Sequence, residues 1–149
     1  MHTSASPLYR SSDQIVQLVQ AFEAGTLAPQ AFNHHAHMTV ALWYLSRMPF
    51  AEATATMRTN IQHFAARHQQ SQLYHETITG FWMRLLHHVL ERADSSEAFP
   101  DLVFRTITTF GTMQFFFRHY GKERAFSEEA RQHWIAPDLL PLPFRDPSA

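Results

Sequence analysis

A chain of 149 residues that is 45% hydrophobic and 13% aromatic is one domain's worth of sequence, long enough to bury a real core. Its charges nearly cancel, 12 Lys and Arg against 13 Asp and Glu, and no basic run is present, which argues against nucleic-acid and anionic-membrane partners. The lack of cysteine excludes disulfides, thiolate metal sites and cysteine nucleophiles, so any metal must sit on His, Asp or Glu.

Residues 1–10 hold no apolar run that could act as a signal peptide, and they are expected to be disordered. No later segment approaches the ~20 uninterrupted apolar residues of a membrane span, so a cytoplasmic protein is expected. A single helical domain is expected over residues 11–136. Ser11 with Gln14 three positions on is a capping-box signature, and Ile15, Leu18, Val19 and Phe22 form the stripe of a first helix that Gly25 stops. A second helix, starting between Pro29 and His34, carries His34, His37, Met38, Ala41, Leu42 and Leu45 on one face. His35 shares the opposite side with Thr39 and Ser46, and Val40 and Trp43 point outward, where they would suit the partner surface of a homo-oligomer.

Pro49 ends that pattern. A third helix follows with Phe50, Ala53, Met57, Ile61, Phe64, Ala65 and His68 in its stripe; Arg58 belongs to a solvated face. After a polar loop, residues 74–92 read as a fourth helix. At ~100° per residue, His75, Ile78, Thr79, Trp82, Leu85, Leu86 and Val89 share its inner face, Glu76 flanks them, and Arg84 and His88 fall outside. Residues 102–120 are apolar nearly all round. Their β-branched residues favour strand locally, but four helical neighbours and no hairpin partner favour a helix kinked near Gly111. Ser127-Glu128-Glu129 opens a short helix, and residues 137–149 form a proline-rich extended tail, surface-lying or disordered. The expected fold is therefore all-α: a compact up-and-down bundle of about five main helices with a short C-terminal helix.

In such a bundle the histidines converge. His34 and His37 open the second helix, His68 closes the third, His75 and Glu76 open the fourth, and His119 with Tyr120 closes the fifth, which places all of them at one end. Neutral imidazoles with one carboxylate suit Zn²⁺, Fe²⁺, Mn²⁺, Ni²⁺ or Cu²⁺. His34 and His37, at i and i+3, and His75 across from them are the expected ligands. An open metal position would lower the pKa of bound water or polarise a substrate oxygen, with Glu76 and His119 as acid and base. Tyr74, Thr79 and Tyr120 would orient the substrate.

Familiar catalytic signatures do not carry this chain. His75-Glu76-Thr77-Ile78-Thr79 is similar to the zincin His-Glu-x-x-His motif but has Thr in place of the second His, and neither a Glu-x-x-His pair, a glycine-rich phosphate loop nor a Gly-x-Ser-x-Gly elbow is present. Phe32-x-His34-x-x-His37 with Ala41 and Tyr44-Leu45, then Tyr74-His75-Glu76-Thr77-Ile78-Thr79-x-x-Trp82, then His119-Tyr120 and Pro137-Asp138-Leu139 resemble a group of short bacterial helical proteins of uncharacterised function. That resemblance spans roughly residues 20 to 143 and implies a site without implying its chemistry. The expectation is a small metal-dependent enzyme acting on a small organic molecule by hydrolytic, lyase or oxidative chemistry. A metal- or metabolite-binding module that turns nothing over is one alternative, and a structural or interaction protein whose polar cluster only satisfies itself is the other.

Overall fold

The computed structural model describes residues 9–149. The disorder expected at the N-terminus lies outside the described residues as far as residue 8. Tyr9 and Arg10 depart from it, because Tyr9 packs on the core and the Arg10 guanidinium lies 3.9 Å from the Phe104 ring centre. Every regular element among the described residues is a helix.

Helix α1 (Ser12–Ala24) forms where its caps say it should. Ser11 Oγ accepts from the Gln14 amide and the Gln14 side chain accepts from the Ser11 amide, each at 3.2 Å. Gly25 ends the helix at φ +76°, a left-handed conformation that glycine adopts without strain. Helix α2 (His34–Arg47) starts at the Asn33 side chain, which accepts from the Ala36 amide at 3.0 Å. Two residues, Met48 and Pro49, separate α2 from α3 (Phe50–Arg67).

The second helix is buried on more than its expected stripe. Val40 and Thr39 are fully buried, because α1, α3, α4 and α5 all pack around α2. This corrects the outward placement of Val40: Trp43 is half-buried, edge-on to Phe99 with Arg47 stacked 3.7 Å from its ring, and the pair makes no exposed patch. His35 is half-buried rather than outward-facing, with its Nδ1 buried. A polar link ties three helices together: the Tyr44 hydroxyl donates to Glu23 at 2.6 Å and accepts from Asn60 at 2.9 Å.

Helix α4 (Glu76–Glu91) lies against α2, and Phe81 at its middle is fully buried. Phe81 meets the rings of Trp82, Phe116 and Tyr120 edge-on, and burying a side chain of this size contributes about 2–3 kcal/mol. Contrary to expectation, Arg84 is buried as well. The fifth helix is α5 (Phe99–Phe110), and the expected helix to residue 120 breaks at Gly111, then resumes as the single turn α6 (Gln114–Phe117). The chain passes so close to its own preceding turn there that a Cβ on Gly111 would sit 2.3 Å from the Ile107 carbonyl oxygen and 2.9 Å from His35 Nε2. Two short helices, α7 (Lys122–Ala125) and α8 (Glu128–Gln132), complete the set; α8 is capped by Ser127 and packs on α4. No described helix is long and apolar enough to cross a membrane.

The tail beyond α8 is extended, yet closely tied down. The Arg84 guanidinium stacks 3.7 Å from the Trp134 ring, donates to Asp146 and to Ser148 Oγ at 3.0 Å each, and reaches the Gly80 carbonyl at 3.0 Å. Phe144 stacks on His88, which is thereby half-buried rather than solvated.

Candidate functional site

The starts of α2 and α4 face one another across a cavity of about 270 Å³. His34, His37, Met38 and Ala41 come from α2; Ile78, Thr79, Trp82, Met83 and Leu86 come from α4; Met57 and Ile61 of α3, with Met113 beyond α5, close the sides. Four of the chain's six methionines line it. Tyr74, His75 and Leu73 form the mouth, Leu73 from a one-turn 3₁₀ helix (Ser71–Leu73) where it stays 63% exposed. The Arg131 guanidinium donates to the Gln72 carbonyl and ties that turn to α8. No Lys, Arg, Asp or Glu is among the described residues lining the cavity.

Each residue of the two histidine motifs has a definite local task. Phe32 stacks on the His37 ring at 3.9 Å, and Phe32 also packs between Phe22 and Phe64 in the core. His34 meets Trp82 with ring centres 4.6 Å apart and planes inclined at 67°. Burial, reinforced by the neighbouring His35, lowers the His34 pKa from 6.5 to about 4. Burial and then His34 take His37 to about 4 as well, against the opposing effect of its ring N–H donating to the Phe32 backbone carbonyl. Both rings are neutral at pH 7.

His75 does not sit within the fourth helix, which begins one residue later. It is the N-cap: its Nδ1 accepts from the Ile78 amide at 3.1 Å, and its Nε2–H donates to the Ala125 carbonyl at 2.6 Å. Those two bonds set the tautomer and occupy both nitrogens, and burial holds the pKa below its ordinary value. Replacing His75 by Ala removes the cap and leaves the Ala125 carbonyl without its donor. A stability loss of about 1–2 kcal/mol is expected in urea unfolding.

Glu76 turns away from the cavity. Arg58 grips it with two bonds, Nε to Oε1 at 2.9 Å and Nη2 to Oε2 at 2.7 Å, and the Tyr74 hydroxyl donates to Oε1 at 2.6 Å. Burial opposes the charge, but Arg58 and Tyr74 keep the carboxyl below its ordinary pKa. Burial and the Glu76 carboxylate together push the Tyr74 phenol up, so it stays protonated. Tyr74 is the wall between the apolar cavity and a polar groove holding Arg58, Gln62, Glu76, Glu128 and Arg131.

The remaining expected site residues lie elsewhere. His119 is buried between Phe81 and Phe115 with Nδ1 3.2 Å from the Leu140 carbonyl, and Tyr120 is fully buried with its hydroxyl donating to the Ile135 carbonyl at 2.6 Å. Neither reaches the cavity; the break at Gly111 carries the chain under the tail instead. Thr77 serves the same docking, donating to the His133 carbonyl at 2.6 Å and accepting from the Ile135 amide at 3.2 Å. Asp138 accepts from the Gly121 amide at 2.8 Å, and the Leu139 amide donates to the His119 carbonyl at 2.9 Å. The His119-Tyr120 and Pro137-Asp138-Leu139 segments are thus two sides of one seam. His68, expected at the same end, packs on Phe64.

The structure therefore brings His34, His37, Tyr74, His75 and Thr79 to one cavity, sets Glu76 behind its wall, and takes His119 and Tyr120 away. Among the described residues, no three His, Asp or Glu side chains gather closely enough to hold an ion. Sequence reasoning missed Arg58, whose pairing with Glu76 carries no local signal. It also missed the methionines as a lining, although Met38, Met57 and Met83 all sat on or beside inward stripes.

Fold and site together define an all-α protein built around a histidine-edged, methionine-lined cavity. The chain matches no protein-family model, no curated protein and no solved structure.

Proposed function

We propose that the protein binds a small, uncharged, mainly apolar molecule in the cavity between the starts of α2 and α4. The observation that carries this reading is the lining itself: four flexible thioethers, aliphatic side chains and three imidazoles, all with lowered pKa, and no Lys, Arg, Asp or Glu among the described lining residues. Methionine adapts to irregular apolar shapes, and a concave apolar wall with a few polar groups is the usual form of a small-molecule site. At about 270 Å³ the cavity admits a compact ligand.

The test is a panel of neutral small molecules scored by ligand-observed NMR and by thermal shift. A ligand present at 100 times its Kd raises stability by about 2.7 kcal/mol. Ile61→Trp, at a half-buried position of the wall, puts an indole into the cavity; it is expected to weaken binding at least ~10-fold, equivalent to about 1.4 kcal/mol, with the fold retained. Binding that survives this change would place the ligand elsewhere.

A metal-dependent enzyme is the second reading, supported by the buried Nε2 of His34, without a partner among the described residues, on the same helix as His37. Such an ion would have to complete its ligand set beyond His75, whose nitrogens are both engaged. Metal content of protein purified without a His-tag, compared with the His34→Ala/His37→Ala variant, decides it. Near-stoichiometric metal that disappears in the variant would favour this reading over the first.

A further inference from the structure

Two nitrogens in residues of the cavity wall are buried with no hydrogen-bond partner among the described residues: Nε1 of Trp82 and Nε2 of His34. Their rings are neighbours, with centres 4.6 Å apart. Native proteins rarely leave buried polar atoms unpaired, and other polar groups at the cavity are provided for: Tyr74 bonds Glu76, and both nitrogens of His75 are engaged. The two unpaired atoms define a chemistry. An indole N–H only donates, whereas a neutral imidazole Nε2 donates in one tautomer and accepts in the other. A single uncharged oxygen meets both needs. A carbonyl oxygen, with two lone pairs, accepts from both rings; a hydroxyl accepts from the indole and donates to the imidazole.

The surroundings narrow the class further. No Lys or Arg is among the described lining residues, so a carboxylate would enter without a counter-charge, and buried charges need one. Methionine and aliphatic side chains make up most of the remaining wall. Resting on the reading of this cavity as a binding site, we propose that its ligand is a compact neutral alcohol or ketone on a hydrocarbon frame, its oxygen seated between Trp82 and His34.

The experiment uses four probes of similar size on the full chain: cyclohexanone, cyclohexanol, methylcyclohexane and cyclohexanecarboxylate. Affinities are measured by ligand-observed NMR at pH 7.5 for wild type, Trp82→Phe and His34→Leu. Because the hydrocarbon is driven from water more strongly than the ketone, the informative quantity is the change on substitution. Trp82→Phe is expected to weaken cyclohexanone and cyclohexanol roughly tenfold while methylcyclohexane stays within about twofold, since only the oxygen loses a donor. His34→Leu repeats the comparison through the other ring, should Trp82→Phe fail to fold. Between the two oxygen probes, stronger binding of the alcohol assigns the accepting tautomer to His34, and stronger binding of the ketone the donating one. The carboxylate is expected not to bind.

Equal changes across ketone, alcohol and hydrocarbon in both variants would overturn the inference and leave the cavity a plain hydrocarbon site whose nitrogens are met by water. Carboxylate binding as tight as that of the ketone would overturn it as well. Failure of all four probes, and of the wider neutral panel, to bind the wild type would sink the binding-site reading together with the inference.

Discussion

Asp146→Ala is expected to destabilise the protein by about 2–4 kcal/mol, although the residue lies in the extended tail beyond α8. Its carboxylate is the only formal charge that Arg84 contacts among the described residues, at 3.0 Å, and the Arg84 side chain is 8% exposed. Without Asp146 a buried guanidinium is left, among the described residues, with neutral partners: the Gly80 carbonyl, the Ser148 hydroxyl and the faces of Trp134 and Phe50. Asp146 also organises the chain end, since its Oδ1 accepts from the Ser148 amide and hydroxyl at 2.9 and 2.7 Å. The 25% exposure of Asp146 sets the lower end of the range, because water can reach part of the site once the carboxylate is gone. Urea unfolding of Asp146→Ala, Arg84→Met and the double variant separates the pair from its surroundings. The double variant is expected to recover part of the loss, because it removes the buried charge along with its partner. A loss below about 0.5 kcal/mol for Asp146→Ala, the size of an ordinary surface change, would mean that the tail is not anchored through this pair.

The second large effect is on acid stability. His34 and His37 have pKa values of about 4 in the folded protein against an ordinary 6.5. Between those limits the unfolded chain holds more protons than the folded one, so stability falls as pH falls. The contribution is present in full above pH 6.5, declines from there toward pH 4, and is constant below the folded pKa values. Allowing for the partial exposure of both rings and their mutual repulsion, the loss over this window is on the order of 3 kcal/mol. Glu76 and Asp146, both held below their ordinary values, extend the decline to lower pH. Unfolding free energies measured stepwise from pH 7.5 to 3.5 check this, with His34→Leu/His37→Leu expected to flatten the upper part of the curve and keep the lower. A wild-type curve flat between pH 6.5 and 4.5 would refute the burial of two neutral imidazoles.

The two motif stretches owe their composition to different needs. From Tyr74 to Trp82, Tyr74 and Glu76 lock α4 to Arg58 on α3, His75 and Thr77 dock the short C-terminal helices, and Thr79 and Trp82 border the cavity. Much of what reads as chemistry in that run is therefore architecture. It holds the mouth of the cavity in place through hydrogen bonds to Ala125, His133 and Ile135.

The helical class and several helix starts and stops follow from local physics, and for that reason they were legible in the sequence, whereas the start of α4 at Glu76 and the break of the fifth helix at Gly111 were not. Ser11 with Gln14, Gly25 and Ser127 cap helices through groups at most four residues away, and the apolar spacing of Ile15 to Phe22 or Ala53 to Ala65 states a buried face without reference to any neighbour. The meeting of His34, His37 and His75 was legible too, since short connections between helices bring alternate ends together. Pairings across long stretches of chain were not. Arg58 with Glu76 spans 18 residues, Thr77 with His133 spans 56, and Arg84 with Ser148 spans 64. No periodicity encodes such contacts; they exist only when packing has set the relative height and rotation of the elements. Packing likewise took His119 and Tyr120 out of the cavity when the chain broke at Gly111, buried Val40 by surrounding α2, and gathered methionines from three helices and a loop into one wall. The sequence by itself determined an all-α chain with imidazoles at the helix starts, because caps and spacing act within a turn or two. Only the tertiary structure decided which of those imidazoles are spent on hydrogen bonds and which border a cavity, because that depends on what arrives from the far end of the chain.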